Sequence, residues 1–247
     1  MQYIAIIPAR YQSTRFPGKP LALLGNKPII QHVYENAQAT LAHVWVATDD
    51  NRIANAVRQF GGKVVMTRAD HQSGTDRCAE AATKISTELQ FDVIINIQGD
   101  EPFVRGEQLE ALKHCFSDPE TEIATLVKKA ENNGELFNPN RPKVVLDNQH
   151  QALFFSRAAI PYVRGTEPDH WLDHHEFYCH LGMYAYRAEI LLKITQLPPS
   201  RLELAESLEQ LRWLENGYRI KTALTKFESI GIDTPEDLER AKKLLQL

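Results

Sequence analysis

Apolar and polar positions along the chain alternate between two kinds of segment. Short β-rich runs at Tyr3–Ile7, Val44–Ala47, Val64–Met66 and Val93–Ile97 are separated by amphipathic stretches near Ile29–Ala39, Arg52–Phe60 and Thr75–Ile85. This βαβ alternation predicts a mainly parallel sheet with right-handed crossovers, covered by helices. Local punctuation agrees. Thr48-Asp49-Asp50-Asn51 offers N-cap side chains before the second helix, and Gly61-Gly62 stands where its left-handed cap is wanted.

Beyond about residue 118 the alternation fades. Ile123–Val127, Lys143–Leu146 and Ala152–Phe155, with turn chemistry at Asn138-Pro139-Asn140-Arg141-Pro142 and Asp147-Asn148, read as antiparallel strands. They form a smaller β lobe, approximately 119–187, within a single domain spanning 1–247. Tyr162–Phe177 reads as a polar loop rich in His and Asp. Regular elements resume in a strand near Leu181–Tyr186, a helix near Leu204–Asn216, a strand near Ile220–Leu224 and a last helix from Pro235.

Composition narrows the class. With 247 residues, 43% of them hydrophobic, the chain can bury the core of one large α/β domain or of a domain plus a lobe. A formal net charge of -4 and the absence of a Lys/Arg block argue against nucleic acid as the main partner. Cys78, Cys115 and Cys179 are odd in number and widely spaced, so they suggest neither a disulfide framework nor a zinc cluster, and they suit a reducing cytoplasm. The N-terminal apolar run is too short for a signal segment, and no run approaches the roughly 18 residues of a membrane span, so no membrane partner is expected.

Candidate chemistry sits where strands end. Ile6-Ile7-Pro8-Ala9-Arg10-Tyr11-Gln12-Ser13-Thr14-Arg15-Phe16-Pro17-Gly18-Lys19-Pro20 opens from the first strand into a loop with three cations and small residues. Such a loop suits a polyphosphate, because Arg10, Arg15 and Lys19 supply charge while small residues let backbone N–H groups approach the oxygens. Its spacing is neither Walker A nor GxGxxG. An ordinary solvated basic surface is the competing reading.

Asn96-Ile97-Gln98-Gly99-Asp100-Glu101-Pro102 follows the most hydrophobic strand and projects Asp100 into the same region, where Mg²⁺ prefers a hard carboxylate oxygen plus substrate phosphates. Alternatively, Asp100 caps the helix beginning near Gly106. In Gly231-Ile232-Asp233-Thr234-Pro235-Glu236-Asp237-Leu238, helix initiation explains Thr234, Pro235 and Asp237 as cap, first position and capping-box partner. It does not explain Asp233, which is a candidate second metal ligand.

Taken together with Thr67-Arg68-Ala69-Asp70-His71-Gln72-Ser73-Gly74-Thr75-Asp76-Arg77, Phe155-Ser156-Arg157-Ala158 and His180-Leu181-Gly182, these motifs give the chain its resemblance to the 3-deoxy-manno-octulosonate (KDO) cytidylyltransferases over essentially its whole length. The resemblance implies a nucleotide-diphospho-sugar transferase-like α/β fold and a homodimer. It implies that CMP passes from CTP to KDO, giving CMP-KDO and pyrophosphate for lipopolysaccharide biosynthesis. Carried over by residue, it places Ala9, Arg10, Ser13, Arg15, Lys19, His71, Gln72, Ser73 and Gly74 at the nucleotide. Asp100 and Asp233 hold Mg²⁺, and with Lys19 form the catalytic set. Gln98, Arg157, His180, Tyr184 and Glu209 fall at the sugar, whose carboxylate suits a bidentate guanidinium such as Arg157.

From the residues alone, Arg157 also reads as a surface cation, His180 as a satisfied interior histidine, Tyr184 as core, and Glu209 as a helix-surface partner of Arg212. A sialic acid cytidylyltransferase, a sugar 1-phosphate nucleotidyltransferase and a non-catalytic nucleotide-binding regulator are the competing functions. The motifs do not separate KDO from an 8-amino analogue.

Overall fold

In the computed structural model, which describes residues 1–12, 15–228 and 230–244, the strand Tyr3–Ala9 lies between Val44–Thr48 and Val93–Asn96. Val64–Met66 pairs with the far edge of Val44–Thr48, and all three pairings are parallel. These strands belong to the first of two compact units, Met1–Glu110 with Ala185–Thr195 and Ser229–Leu247. The second comprises Ala111–Tyr184 and Gln196–Glu228.

In the first unit, Ile4, Ala5, Ile6 and Ile7 are fully buried, as are Val93, Ile94 and Ile95. Such continuous apolar runs are what a parallel sheet covered on both faces requires. The helices Ile29–Gln38, Asn51–Gln59 and Gly74–Ile85 turn Ile29, Ile30, Val33, Ile53, Val57, Cys78 and Ala81 inward. The caps fall where the sequence places them. Asp50 accepts the Arg52 N–H at 2.8 Å, and Gly61 takes φ 80° after Phe60. A helix at Ala188–Ile194 is an addition to the elements expected, and a two-stranded antiparallel sheet joins Leu23–Leu24 to Lys27–Pro28.

This strand order fixes where a ligand can bind. From Tyr3–Ala9 the chain steps outward to Val44–Thr48 and Val64–Met66, then returns to the opposite side at Val93–Asn96. The order therefore reverses between Tyr3–Ala9 and Val93–Asn96, and open α/β sheets bind ligands beyond the carboxyl ends of strands at such a reversal. The loops leaving that point carry Arg10 to Lys19 and Gln98 to Asp100. They pass so closely that a Cβ on Gly99 would lie 2.8 Å from the Pro8 carbonyl oxygen, a contact only glycine avoids.

The second unit corrects three expectations. On one edge Ile123–Lys129 pairs in parallel with Ile220–Leu224 rather than antiparallel, whereas Lys143–Leu146 and Ala152–Ser156 do form an antiparallel pair. The segment 162–177 is not wholly polar loop, because it contains a short helix, Trp171–His174, whose indole is buried and stacks on Phe177 at 6.0 Å beside Leu136 and Cys179. The helix expected over Leu204–Asn216 is two helices, Arg201–Glu206 and Gln210–Glu215, separated by Ser207 at φ 52°. Among the described residues no helix is long and apolar enough to cross a membrane.

Along the strand Tyr178–Arg187, whose last three residues belong to the first unit, the His180 ring packs against Phe155 and Tyr184 with centroids 5.1 and 5.2 Å away. Its Nε2 lies 3.0 Å from the Thr125 hydroxyl, which donates to the Met183 carbonyl at 2.8 Å. Burial pushes the His180 pKa down from 6.5 to about 3. Between those values the unfolded chain binds a proton that the folded chain refuses, so this residue's stabilisation is full above pH 6.5 and falls as the pH drops toward 3. Denaturant unfolding at pH 6.5 and 5 should show His180 contributing a loss of up to about 1.4 kcal/mol per pH unit. His180→Gln should flatten the slope by that amount; an unchanged slope would contradict the buried neutral ring.

Candidate active site

The reversal point opens as a cleft of about 320 Å³ in the first unit. Ala9, Arg10, Arg15, Lys19, His71, Gln72, Ser73, Gly74, Gln98, Asp100 and Asp233 line it, together with Arg77. Ser13 lies outside the described residues. Gln98, assigned by resemblance to the sugar, thus stands in the same cleft as the residues assigned to the nucleotide.

The described parts of the basic loop are tied to one another. Gly18, at φ 72°, donates its N–H to the Tyr11 carbonyl at 2.9 Å, and Lys19 donates to Phe16 at 3.2 Å before a short 3₁₀ turn over Lys19–Leu21. Arg52 lies 3.3 Å over the Tyr11 ring, which pins the start of the turn by a cation–π contact. On the opposite wall, Ser73 opens the helix Gly74–Ile85 with a complete capping box to Asp76. The electropositive end of that helix begins at Gly74, in the cleft wall, where it favours an anion.

Asp100 and Asp233 converge on one cation. Lys19 Nζ is 2.5 Å from Asp100 Oδ2 and 2.9 Å from Asp233 Oδ1, while Arg15 Nη2 is 3.0 Å from Asp233 Oδ2. The approach of the two aspartates follows from a backbone bond, Ile232 N–H to the Asp100 carbonyl at 2.9 Å. Helix capping steadies it, because Asp237 accepts the N–H groups of Asp233 and Thr234 and donates its own N–H to Thr234 Oγ1. Burial lowers the Lys19 pKa, but the paired carboxylates outweigh it and hold the ammonium above its ordinary value.

The chemistry of this donor set fits Mg²⁺. Two carboxylate oxygens already lie within bonding distance of a common cation. Among the described residues no group of three or more His, Cys, Asp or Glu side chains surrounds a metal position. Mg²⁺ characteristically takes one or two carboxylates and completes its shell with waters and substrate phosphates.

The remaining sugar-side candidates, Arg157, His180, Tyr184 and Glu209, lie in the second unit. Arg157 is held by backbone oxygens: Nε donates to Glu206 at 2.6 Å, Nη1 to Pro139 at 3.0 Å and Nη2 to Ser207 at 3.1 Å. A guanidinium has five N–H donors, so each Nη keeps one further N–H for an oxyanion. Tyr184 packs against both His180 and Trp213, with ring centroids 5.2 and 5.0 Å away. Burial raises the Tyr184 pKa, and the charge of Glu209 raises it further. Arg212, read from the sequence as a partner of Glu209, pairs bidentately with Glu203 at 2.7 and 2.6 Å.

Sequence reasoning gave no role to several residues that organise these groups. Glu80 lies 2.5 Å from His71 Nε2 and also accepts from Lys84 and the Arg68 N–H; although burial raises its pKa, these partners bring it down to about 2. Arg77 is tied to Asp49 at 3.0 Å and Thr67 at 2.6 Å. Glu206 accepts from Ser156 Oγ and the Arg157 N–H. Arg77 belongs to a motif already quoted. The others sit at spacings that only the fold makes meaningful.

The chain's relatives share this architecture. Residues 4–227 match the family model described as cytidylyltransferase. A protein of Parabacteroides distasonis named 3-deoxy-manno-octulosonate cytidylyltransferase is 60% identical over 249 residues, covering 99% of this chain and 98% of the relative. One of Bacteroides thetaiotaomicron with the same name is 58% identical over 100% of this chain and 99% of its own. The solved structure of a CMP:2-keto-3-deoxy-manno-octonic acid synthetase complexed with CTP superposes with a TM-score of 0.91 at 43% identity, covering 100% of this chain and 99% of that one. The chain therefore belongs to the cytidylyltransferase family, among the 3-deoxy-manno-octulosonate cytidylyltransferases.

Proposed function

We propose that this chain transfers CMP from CTP to the anomeric hydroxyl of KDO, releasing pyrophosphate and supplying CMP-KDO for lipopolysaccharide biosynthesis. One observation carries the reading: the convergence of Lys19, Asp100 and Asp233 within a basic cleft at the strand-order reversal, in a chain 60% identical to a relative named for this reaction.

Arg10, Arg15 and Lys19 grip the triphosphate, and His71 to Gly74 border the cytidine. Asp100 and Asp233 would hold Mg²⁺, which when bound neutralises phosphate charge and acidifies the attacking hydroxyl. KDO enters as a second anion. Arg157 engages its carboxylate with the N–H groups left over from its carbonyl contacts, while His180, Tyr184 and Glu209 orient its hydroxyls. The anomeric oxygen forms a bond to the α-phosphorus as the bond to the β-phosphate oxygen breaks. The hydroxyl proton passes to solvent, and no covalent enzyme intermediate is formed. Most of the acceleration comes from aligning two reactants that otherwise repel. A homodimer and a cytoplasmic setting belong to the same proposal; three buried free cysteines suit a reducing compartment.

Pyrophosphate release from CTP with Mg²⁺ should require KDO among a panel of KDO, 8-amino-KDO, N-acetylneuraminate and glucose 1-phosphate. Release only with another acceptor would move the substrate, and CTP binding without any release would leave a regulator. Asp100→Asn should fold normally and lose on the order of 10³-fold in kcat, since it removes a ligand that stabilises developing charge; wild-type kcat would sink the metal assignment. Arg157→Lys should raise the KDO KM by roughly 10- to 100-fold, as expected when a charged hydrogen-bond pair is lost, with the CTP KM unchanged. A raised CTP KM instead would place Arg157 on the wrong substrate.

A further inference from the structure

Two of the three cations assigned to the triphosphate are engaged with the carboxylates assigned to the metal. Lys19 Nζ sits between Asp100 and Asp233, and Arg15 lies on the outer oxygen of Asp233. The Lys19 side chain is only 13% exposed, and its backbone is fixed by the bond to Phe16 and the turn that follows. Among the described residues, Asp100 and Asp233 are the only carboxylates in the wall of the cleft. Two negative charges are therefore matched by two positive ones before any substrate arrives. A divalent cation approaching alone meets no net negative charge, and it would have to settle beside a retained ammonium. A triphosphate approaching alone meets two of its three cations already engaged by carboxylates.

We propose that Lys19, assisted by Arg15, is an exchangeable counter-ion that occupies the metal ligands in the empty enzyme and moves to the triphosphate as the divalent cation takes its place. This rests on the function proposed above and adds a consequence to it. Nucleotide and cation bind with positive coupling, each drawing off the partner that would otherwise exclude the other. By linkage the factor is the same in both directions. Lys19 is then a coupling residue as well as a phosphate ligand, and its removal strengthens one binding event while weakening the other. A purely structural lysine would weaken both or neither.

The test uses Mn²⁺ as the probe, followed by electron paramagnetic resonance, with an α,β-methylene CTP analogue that cannot release pyrophosphate. For the wild type, Mn²⁺ alone should bind weakly, and saturating analogue should tighten it at least tenfold. Lys19→Met should bind Mn²⁺ alone at least tenfold more tightly than the wild type, bind the analogue less tightly, and lose most of the coupling. Lys19→Gln, which keeps a polar side chain without the charge, should behave likewise and serves if the methionine variant misfolds. Equal Mn²⁺ affinity in the wild type and both folded variants would overturn the exchange. Asp100→Asn separates the two levels of argument. If it loses the Mn²⁺ site while the lysine variants match the wild type, the metal assignment stands and the exchange alone fails. If it retains full Mn²⁺ affinity with the analogue, the metal assignment fails and the exchange with it.

Discussion

The site depends on one short backbone bond, from the N–H of Ile232 to the carbonyl of Asp100. It brings a segment from near the end of the chain onto the loop leaving the central strand, and so places Asp233 beside Asp100. Two carboxylates held this close are unfavourable unless a cation lies between them. The first unit meets that requirement by delivering Lys19 from a turn closed by Gly18 and buttressed by Tyr11 and Arg52. The absence of a side chain at Gly99 lets the Asp100 loop lie against Pro8, so the three contributing segments meet at the end of two adjacent strands.

The first half of the chain was largely legible because its physics is local. Buried parallel strands are continuous apolar runs, and their helices announce themselves through caps such as Asp50 and Gly61. Once the strands are placed, the loops after Tyr3–Ala9 and Val93–Asn96 are candidate sites by position alone. The second unit was less legible because its determinants are distant or masked. Ile123–Lys129 finds its parallel partner at Ile220–Leu224, which no local pattern signals. Trp171 lies in a run of His, Asp and Glu, yet anchors a small apolar cluster with Phe177 and Leu136. Leu204 opens the run read as one long helix but is exposed, and the left-handed Ser207 divides that run into two helices.

The site residues divide in the same way. Charge and position identify Lys19 and Asp100 as interesting, and the resemblance alone identifies Arg157, but neither shows what holds them. Arg157 spends three N–H groups on the carbonyls of Glu206, Pro139 and Ser207, which fixes the plane of the guanidinium before any ligand arrives. Glu80 fixes His71, and Asp49 and Thr67 fix Arg77, at spacings that match no helix or strand period. The sequence shows the residues of each pair; the fold shows that they are paired.

The contact between Thr125 and His180 settles a question of proton ownership. A threonine hydroxyl has a single hydrogen, and Thr125 commits it to main-chain carbonyls at Met183 and Leu181. Toward His180 its oxygen can only accept, so the neutral ring must carry its hydrogen on Nε2 and leave a lone pair on Nδ1. The imidazole is therefore a hydrogen-bond acceptor on its second edge. A group that meets that edge must bring its own hydrogen, as a sugar hydroxyl does and an ionised carboxylate cannot. Under the function proposed above, one threonine proton would give the ring a preference among the functional groups of an acidic sugar.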